Sequence, residues 1–467
     1  MKEQALGTPG AKYIGKTALV LGAARSGTAA AELLLCLGAR VILNDIKPKE
    51  ALGSLPDALN TPLCDLRMGE SPESLFGLSD FIILSPGIPL ASPALDKARG
   101  MGIPIFGELA FAASSAKQDI IAVSGTNGKT TTVSLLGEIF KQAGKVAHVA
   151  GNIGYPLSAA VLNAAADDLL IAEVSSFQLE TVGGFHPNTA SLLNITPDHL
   201  DRHGSMEAYA GLKKRLFDNM GTGDLAVLNR DDPVVSAMAG EIKPRIVWFS
   251  STAEVPNGAM LRDGFILTRT NGVEQRICAV SDMKIPGRHN WENALAAAAV
   301  SAGMGVPGAV ISLALRHFTG VEHRIEYAGT VRKARWLNDS KGTNPDSTIK
   351  AVEAMTGPAV LIAGGYDKGV PFDTLAECVA ASGHIRCAVL QGHTAEIIRH
   401  ALLKAGFDQV YMTHTLKEAV HMAAGLARED DSVLFSPACA SFDQFSDYEE
   451  RGLAFKRLVK NMGEEGA

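Results

Sequence analysis

The chain lacks any segment suited to export or to a membrane. No basic stretch followed by an apolar one stands at its N-terminus, and apolar runs such as residues 294–300 are far shorter than the roughly 20 residues that span a bilayer. Cysteine is scarce, and the six residues are scattered without a C-x-x-C pair, a spacing unsuited to a zinc site or a disulfide framework. We therefore expect a cytoplasmic protein without membrane insertion, with reduced and mostly buried thiols.

The chain also lacks an excess of basic residues. Lys and Arg together number 43 against 50 for Asp and Glu, and the net charge of −7 argues against a nucleic-acid partner. A local basic pocket remains compatible with anionic substrates. The 467 residues exceed one ordinary domain, and a hydrophobic share of 46% suffices for several cores of normal size without disulfide or metal staples.

Short apolar segments alternate with helical segments in β-α-β order, which predicts an α/β fold with parallel sheets. We expect three domains, at residues 1–107, 108–320 and 321–467. The predicted strands cover residues 17–21, 40–43, 81–84, 120–123, 169–172, 190–193, 224–228, 336–339, 359–362, 387–390 and 432–435. Helices are predicted at residues 28–37, from the end of the glycine-rich loop to about 143, and at 293–302. No internal repeat is visible, which argues against a solenoid.

A glycine-rich loop between the strand at 120–123 and a helix is the strongest single signal in the sequence. Glycines let backbone N–H groups approach phosphate oxygens, and the helix N-terminus adds partial positive charge. A lysine in such a loop can reach the outer phosphates, and a hydroxyl after it suits Mg²⁺. Val123 stands where the strict phosphate-loop pattern has a glycine, so this loop is a shortened relative. The predicted nucleotide-binding residues are Gly125, Thr126, Asn127, Gly128, Lys129, Thr130 and Thr131.

Two further segments carry groups that bind metals. Glu173 follows the strand at 169–172, where a carboxylate near a phosphate loop is well placed for Mg²⁺, although a solvated edge charge would fit the same pattern. His199 and His203 have the i, i+4 spacing of a helical zinc pair, but Leu200 stands where zinc proteases carry their general base. A zinc hydrolase is therefore the weaker interpretation, and helix capping by nearby residues is a structural alternative.

The loop at residues 22–27, between the first predicted strand and helix, favours a diphosphate at a helix N-terminus. Its two glycines are a loose form of the dinucleotide fingerprint, and Asp45 ends the next strand as the acid of that fingerprint would. This loop alone therefore leaves an NAD site open. A dehydrogenase is the weaker reading because a phosphate-loop unit follows.

Seven motifs, in order along nearly the whole chain, resemble the Mur ligase family, which includes the folylpolyglutamate synthetases. They are GTNGKTT at 125–131, GNIG at 151–154, EVSSFQLE at 173–180, NITPDHLDRHGS at 194–205, HRIE at 323–326, NDSKGTN at 338–344 and SPACASFDQF at 436–445. The last two look like those of the member that adds D-glutamate. Members that add diamino acids carry D-N-P-[RK], whereas this chain has Gly-Thr-Asn-Pro-Asp at 342–346.

The resemblance implies a Rossmann-like N-terminal domain that binds a UDP-sugar, a central phosphate-loop ATPase domain with a mainly parallel sheet, and a Rossmann-like C-terminal domain that brings the amino acid. It implies that ATP phosphorylates the carboxylate of UDP-N-acetylmuramoyl-L-alanine, and that the amine of D-glutamate then attacks the acyl phosphate. This is a step of peptidoglycan precursor synthesis. The implied cofactors are ATP and two Mg²⁺ ions.

The resemblance also implies roles for particular residues. Catalysis and metal binding fall to Lys129, Thr130, Glu173, His199 and Lys213, the last as a carbamylated lysine. Nucleotide contacts are implied for Asn152, Arg324 and Asp339 in addition to the loop. UDP-sugar contacts are implied for Arg25, Ser26, Asp45, Ser85, Pro86 and Gly87. D-Glutamate contacts are implied for Lys341, Thr343, Lys368, Ser441, Phe442 and Tyr448.

Three alternatives stay open at this point. Lys213, with Lys214 beside it, could belong to an exposed basic helical face. The enzyme could be a family ligase for a different amino acid. The chain could also be an ATP-dependent conformational switch, which would hydrolyse ATP slowly whether or not a UDP-sugar is present.

Overall fold

A computed structural model describes residues 12–52, 55–198, 200–285 and 287–465, without the side chains of residues 200, 201 and 465. The described residues form two compact units. The first unit runs to Met283 and takes in Trp291–Phe318, and the second takes in Lys284–Asn290 and continues from Thr319. The domain boundaries given above stay predictions. No helix among the described residues has the length and apolar character needed to cross a bilayer.

The first unit begins with a five-stranded parallel sheet in the order β3-β2-β1-β4-β5. Its elements are β1 (Thr17–Leu21), α1 (Arg25–Cys36), β2 (Arg40–Asp45), β3 (Cys64–Met68), β4 (Phe81–Leu84), α2 (Pro93–Gly100), β5 (Ile105–Gly107) and α3 (Glu108–Ser115). Because β1 lies between β2 and β4, the loops that follow β1 and β4 flank the point where the strand order reverses. Ligands of open α/β sheets bind at such a point.

The first unit also holds a nine-stranded sheet in the order β14-β13-β12-β11-β10-β9-β6-β8-β7. Its strands are β6 (Asp119–Ser124), β7 (Ala147–Gly151), β8 (Leu169–Glu173), β9 (Thr189–Leu192), β10 (Leu225–Asn229), β11 (Arg245–Ser250), β12 (Gly258–Arg262), β13 (Phe265–Thr270) and β14 (Val273–Ala279). Its helices are α4 (Lys129–Gln142), α5 (Leu157–Asn163), α6 (Ser176–Leu179), α7 (Leu200–His203), α8 (Met206–Lys214) and α9 (Pro233–Ala237), followed by α10 (Arg288–Gly303) and α11 (Gly308–His317). The first three residues of α10 belong to the second unit. The order reverses at β6, which lies between β8 and β9.

The second unit holds a six-stranded sheet in the order β15-β16-β20-β17-β18-β19. Its strands are β15 (Glu326–Val331), β16 (Ala334–Asn338), β17 (Ala359–Ala363), β18 (Ile385–Leu390), β19 (Val410–Met412) and β20 (Ser432–Phe435). Its helices are α12 (Pro345–Glu353), α13 (Asp373–Ala381), α14 (Ala395–Lys404), α15 (Leu416–Leu426) and α16 (Tyr448–Glu465). Here β20 lies between β16 and β17, so the carboxyl ends of these three strands form the reversal point.

The prediction of mainly parallel α/β sheets is confirmed. Only β12–β13, β13–β14 and β15–β16 are antiparallel among the strand pairs of the described residues. The central strands are continuous apolar runs, as in β8, whose five residues are all buried. Parallel strands covered by helices on both faces have this pattern. Helix α1 was predicted to begin at residue 28 but begins at Arg25, so its first turn lies inside the glycine loop.

The two sheets of the first unit are joined by close contacts at the end of β5. A Cβ on Gly107 would overlap Thr181 Oγ1, so only glycine fits there. The next residue, Glu108, is buried, and its Oε1 accepts a hydrogen bond from the Ser158 backbone N–H at 2.7 Å. We refer to this contact of β5 and α3 with α5 and residue 181 as the seam.

Candidate functional site

The glycine-rich loop connects β6 to α4, as predicted. Gly128 caps α4 in the left-handed conformation with φ 84°, and a Cβ there would overlap Asn293 Oδ1. A Cβ added to Gly125 would lie 2.9 Å from Leu193 Cβ. Glycine is therefore required at both ends of the loop, because the backbone approaches its neighbours too closely for a side chain.

The loop is fixed to the residues that follow β9. Thr126 N donates to Asn194 O at 2.9 Å, and Asn127 N donates to Asn194 Oδ1 at 2.8 Å. Asn194 lies in one of the recognised motifs, yet it was not predicted as a site residue. Lys129 Nζ donates to the carbonyl oxygens of Gly125 at 2.9 Å and Thr126 at 2.6 Å, so its amine lies over the loop.

Glu173 is the point where three predicted residues meet. It is 2% exposed, so it is not a solvated edge charge. Thr130 Oγ1 donates to its Oε2 at 2.8 Å, and Asn152 Nδ2 donates to its Oε1 at 2.9 Å. The end of β8 therefore presents a carboxylate to the first turn of α4, with both oxygens already oriented by hydrogen bonds. Carboxylate and hydroxyl oxygens are the ligands that Mg²⁺ prefers.

The structure describes only one of the two histidines, His199 and His203, that were considered as a metal-binding pair. His199 lies outside the described residues. Half-buried His203 stacks on Tyr209, with ring centroids 5.3 Å apart, and its Nε2 lies 3.1 Å from Ser176 Oγ. Thr131, the last predicted loop residue, is buried at the start of α4 with its Oγ1 enclosed by protein.

Lys213 is 1% exposed, so it does not belong to an exposed basic face. Its Nζ donates to Gly125 O at 2.9 Å, the same carbonyl that accepts from Lys129. Burial, and next the Lys129 cation, hold the pKa of the Lys213 amine well below its ordinary value. Lys214 points the other way and pairs with Glu241. Of the two lysines, only Lys213 is directed at the phosphate loop.

At the first sheet, the predicted UDP-sugar residues gather around the loop after β1. Asp45 accepts hydrogen bonds from Ala23 N at 2.8 Å and Lys47 N at 2.9 Å, so its carboxylate organises this loop. Ser85 Oγ donates to Gly22 O at 3.3 Å. Exposed Arg25 and half-exposed Ser26 form the first turn of α1. Half-buried Pro86 and exposed Gly87 follow Ser85 after β4. The arrangement leaves a helix N-terminus beside a glycine loop, which suits a phosphate group.

In the second unit, Asp339 and Arg324 lie at the end of β16. Asp339 is buried and accepts hydrogen bonds from Ser436 Oγ at 2.7 Å and Ile325 N at 3.3 Å. Burial raises the pKa of the Asp339 carboxyl from its ordinary value of 3.8 to about 6, and the Arg324 cation works against this rise. The carboxyl group is thus close to titrating near neutral pH.

The predicted D-glutamate residues lie on three neighbouring loops of the second unit. Lys341 Nζ donates to Tyr448 Oη at 3.1 Å and lies 4.9 Å from the centre of its ring. Thr343 N donates to Lys341 O at 2.9 Å. Ser441 is buried, whereas Phe442 is 64% exposed and contacts Tyr366. Lys368 is exposed on the loop that follows β17.

Arg451, on α16, was not predicted as a site residue. It is fully buried and donates to Ser340 Oγ at 3.0 Å, Ala440 O at 2.9 Å, Ser340 O at 2.8 Å and Cys439 O at 3.1 Å. These bonds tie the loop after β16 to the loop after β20.

The prediction of mostly buried thiols holds for Cys278, Cys387 and Cys439, while Cys64 and Cys378 are half-buried and Cys36 is exposed.

Comparisons with known proteins agree with this arrangement of sites. Three families match in order: the Mur ligase MurD-like N-terminal domain at residues 16–107, the Mur ligase middle domain at 123–301, and the Mur ligase glutamate ligase domain at 323–439. The UDP-N-acetylmuramoylalanine--D-glutamate ligase of Thermoanaerobacter sp. strain X514 is 45% identical, over 96% of this chain and 99% of that protein. The protein of the same name from Thermoanaerobacter pseudethanolicus is 44% identical, with the same coverage.

A solved structure shows the same fold. UDP-N-acetylmuramate-alanine ligase MurC from Thermotoga maritima aligns with a TM-score of 0.62 and 20% identity, covering 97% of this chain and all of that chain. The order of the three matched domains, the phosphate loop joined to Glu173 and the identity along nearly the full chain lead to one conclusion: this chain belongs to the Mur ligase family.

Proposed function

We propose that this chain is an ATP-dependent ligase that joins D-glutamate to UDP-N-acetylmuramoyl-L-alanine in peptidoglycan precursor synthesis. The observation that carries the proposal is the phosphate loop bonded through Thr130 to a buried Glu173, in a chain 45% identical over 96% of its length to a protein of that name. The motifs NDSKGTN and SPACASFDQF support D-glutamate as the amino acid.

The first chemical step brings two anions together, since a carboxylate oxygen attacks the γ-phosphate of ATP, the bond between the β- and γ-phosphates breaks, and ADP leaves. Charge neutralisation and positioning therefore supply most of the rate enhancement. Lys129 provides a cation on the loop, and the backbone N–H groups at the start of α4 would bind the phosphates. The resulting acyl phosphate is attacked by the amine of D-glutamate, the new C–N bond forms, the amine loses a proton and inorganic phosphate leaves.

The residues present fit Mg²⁺, because Thr130 offers a hydroxyl and Glu173 a carboxylate within one hydrogen-bonded pair. Bound there, Mg²⁺ would neutralise phosphate charge. We assign His199 to the same metal set, and we propose two ions. Asn152 holds Glu173 in place and thereby supports this set.

The second ion requires a further anionic ligand, and we propose that carbamylated Lys213 supplies it. The neutral Lys213 amine attacks carbon dioxide, an N–C bond forms, one C=O electron pair moves to oxygen, and the nitrogen gives a proton to solvent. A buried amine whose pKa is well below the ordinary value suits this reaction, because only the neutral form is nucleophilic. The carbamate replaces a neutral amine by an anion at this position.

The remaining assignments are proposals about substrate contacts. The loop after β1 and the residues after β4 bind the UDP-sugar, through Arg25, Ser26, Asp45, Ser85, Pro86 and Gly87. The loops of the second unit bind D-glutamate, through Lys341, Thr343, Lys368, Ser441, Phe442 and Tyr448. The assignment of Arg324 and Asp339 to the nucleotide stays a prediction.

An amino-acid panel tests the proposed function. Phosphate release is measured with ATP, Mg²⁺ and UDP-N-acetylmuramoyl-L-alanine, adding D-glutamate, L-glutamate, L-alanine or a diamino acid in turn. Release should require the UDP-sugar and D-glutamate together. Equal turnover with L-glutamate, or turnover only with another amino acid, contradicts the assignment. Slow ATP hydrolysis that ignores both substrates would instead identify a conformational switch.

A further inference from the structure

Tyr209 has a place in the site that no motif assigns to it. It lies on α8, four residues before Lys213, and is 2% exposed. Residues four apart on a helix share one face, so Tyr209 and Lys213 are both directed from α8 toward the phosphate loop. Lys213 reaches Gly125, and Tyr209 reaches the next loop residue, Thr126.

The hydroxyl contact can be assigned a direction. Tyr209 Oη lies 3.2 Å from Thr126 Oγ1. Thr126 Oγ1 donates to Thr196 O at 3.1 Å and accepts from Thr196 N at 3.0 Å. A threonine hydroxyl has one hydrogen and two lone pairs, so Tyr209 is the donor to the remaining lone pair. Burial raises the pKa of Tyr209 to about 12, which keeps this donor protonated.

Packing fixes the position of the Tyr209 ring. The imidazole of His203 stacks on it at an interplanar angle of 20°, and His203 in turn lies 5.7 Å from the ring of Phe177. Lys213 Nζ lies 4.9 Å from the Tyr209 ring centre. These contacts leave the phenol one orientation in a close-packed interior, with its hydroxyl at the loop.

We propose that Tyr209 is a positioning residue for nucleotide binding. Through its hydroxyl it sets where Thr126 lies relative to helix α8, and with Lys213 it fixes two consecutive residues of the phosphate loop. The inference rests on the proposed function, because that function gives the loop ATP as its ligand. Tyr209 itself contacts the loop and not the reacting atoms.

The test is the change Tyr209→Phe, which removes the hydroxyl and keeps the ring contacts. Loss of one buried hydrogen bond should weaken the affinity for adenylyl imidodiphosphate with Mg²⁺ about fivefold. The KM for ATP should rise to a similar extent, while the KM values for the UDP-sugar and D-glutamate stay unchanged. A general loss of structure would shift all three. Tyr13→Phe is the matched control, since Tyr13 is also a buried tyrosine, with its hydroxyl 3.3 Å from Ser114 Oγ on helix α3.

A double-mutant cycle identifies the partner. In a Thr126→Val background, Tyr209→Phe should cause no further loss of nucleotide affinity, because the hydroxyl that accepted its hydrogen bond is gone. A second fivefold loss in that background, or wild-type nucleotide affinity in Tyr209→Phe, overturns the proposal. Nucleotide affinity is measured without the other substrates. If the Tyr209 effect is seen and the wild type fails to use D-glutamate, the proposed function alone is wrong.

Discussion

Lys213 and Arg451 are both buried basic side chains, each 1% exposed, but their environments differ. Lys213 Nζ donates to Gly125 O at 2.9 Å and to Ser124 Oγ at 3.5 Å, and its pKa is held well below the ordinary value. Arg451 has four acceptors within 3.1 Å, and burial lowers its pKa only to about 10, so it remains charged at neutral pH. Arg451 starts from a higher ordinary pKa and lies near Asp443 and Asp339, which favour its charge, whereas at Lys213 the Lys129 cation adds to the effect of burial.

The chemistry of the two side chains matches these environments. A buried ammonium that lacks enough partners relieves the cost of desolvation by losing its proton, whereas a guanidinium cannot do so at physiological pH. The environment of Lys213 beside the phosphate loop supports the proposed carbamylation. Arg451 instead holds the carbonyl groups of two loops in fixed positions beside the proposed amino-acid site.

Among the variants that test this comparison, Lys213→Arg is expected to have the largest effect. A permanent cation cannot become a carbamate, so turnover should fall by about a thousandfold or more, as expected when an essential charge is reversed in an active site. Phosphate release measures the loss, and circular dichroism checks the fold. Lys214→Arg is the matched control and should retain wild-type turnover, since Lys214 pairs with Glu241 on the other side of α8. Substantial turnover in Lys213→Arg would contradict the carbamate proposal.

Arg451→Leu tests the other member of the pair. It removes the guanidinium donor to the carbonyls of Ser340, Cys439 and Ala440, of which Ala440 O still accepts from Tyr366 N, and it removes a charge that favours ionised Asp339. The second unit should lose about 3 kcal/mol of unfolding free energy. Urea unfolding, followed by a probe placed in the second unit, measures the change. Exposed Arg457→Leu on the same helix should have little effect, and equal unfolding midpoints for the two variants would show that Arg451 is not a structural clamp.

Asp339→Asn tests the buried carboxyl group whose ionised form the Arg451 charge favours. The folded-state pKa of Asp339 is about 6, above its ordinary 3.8, so the folded protein binds the proton more tightly than the unfolded chain. Wild-type stability should therefore decline as the pH rises from about 4 through 6 and stay lower above it. The variant lacks this decline, so between pH 4.5 and 7.5 its stability relative to the wild type should rise by about 2 kcal/mol. Parallel pH profiles in urea unfolding would contradict the raised pKa.

The smallest effect is expected from a change beside Lys341, a half-buried amine that is more exposed than Lys213 and Arg451. Tyr448→Phe removes the hydroxyl 3.1 Å from Lys341 Nζ but keeps the ring beside the cation. The KM for D-glutamate should rise about threefold, since a partly exposed hydrogen bond contributes little. Steady-state kinetics measure it, with the KM for ATP as the internal control. An unchanged KM for D-glutamate would show that the hydroxyl does not orient Lys341.

Local patterns in the sequence predicted those strands and loops whose own residues form a recognisable apolar run or motif. The strands at 81–84 and 432–435 have the predicted bounds, because each is a short apolar run between turn residues. The loop from Gly125 to Thr130 and its contact with Glu173 also followed from strand order, since carboxyl ends of parallel strands share one edge. Strands β12 to β14 were not predicted: their exposed faces carry charged residues such as Arg262 and Glu274, which give no continuous apolar run.

Residues whose role depends on distant contacts could not be predicted. Arg451 stands in Tyr-Glu-Glu-Arg-Gly, a run typical of a solvated helix, yet its partner Ser340 lies 111 residues away. Tyr209 reads as an ordinary core residue of α8, and its partner Thr126 lies 83 residues away. In both cases the burial comes from how loops meet at a sheet edge, which periodicity within one segment does not encode.

The seam has a consequence for anyone who divides or recombines this protein. Gly107 leaves no room for a Cβ beside Thr181, and its neighbour Glu108 caps the backbone at Ser158. A graft of the first sheet of a relative onto this central sheet should preserve both contacts, because a Cβ at residue 107 would lie 2.0 Å from Thr181 Oγ1 and would require that residue to shift. The compatibility of a hybrid at this junction therefore depends on residues 107 and 181, which are more than 70 residues apart in the chain.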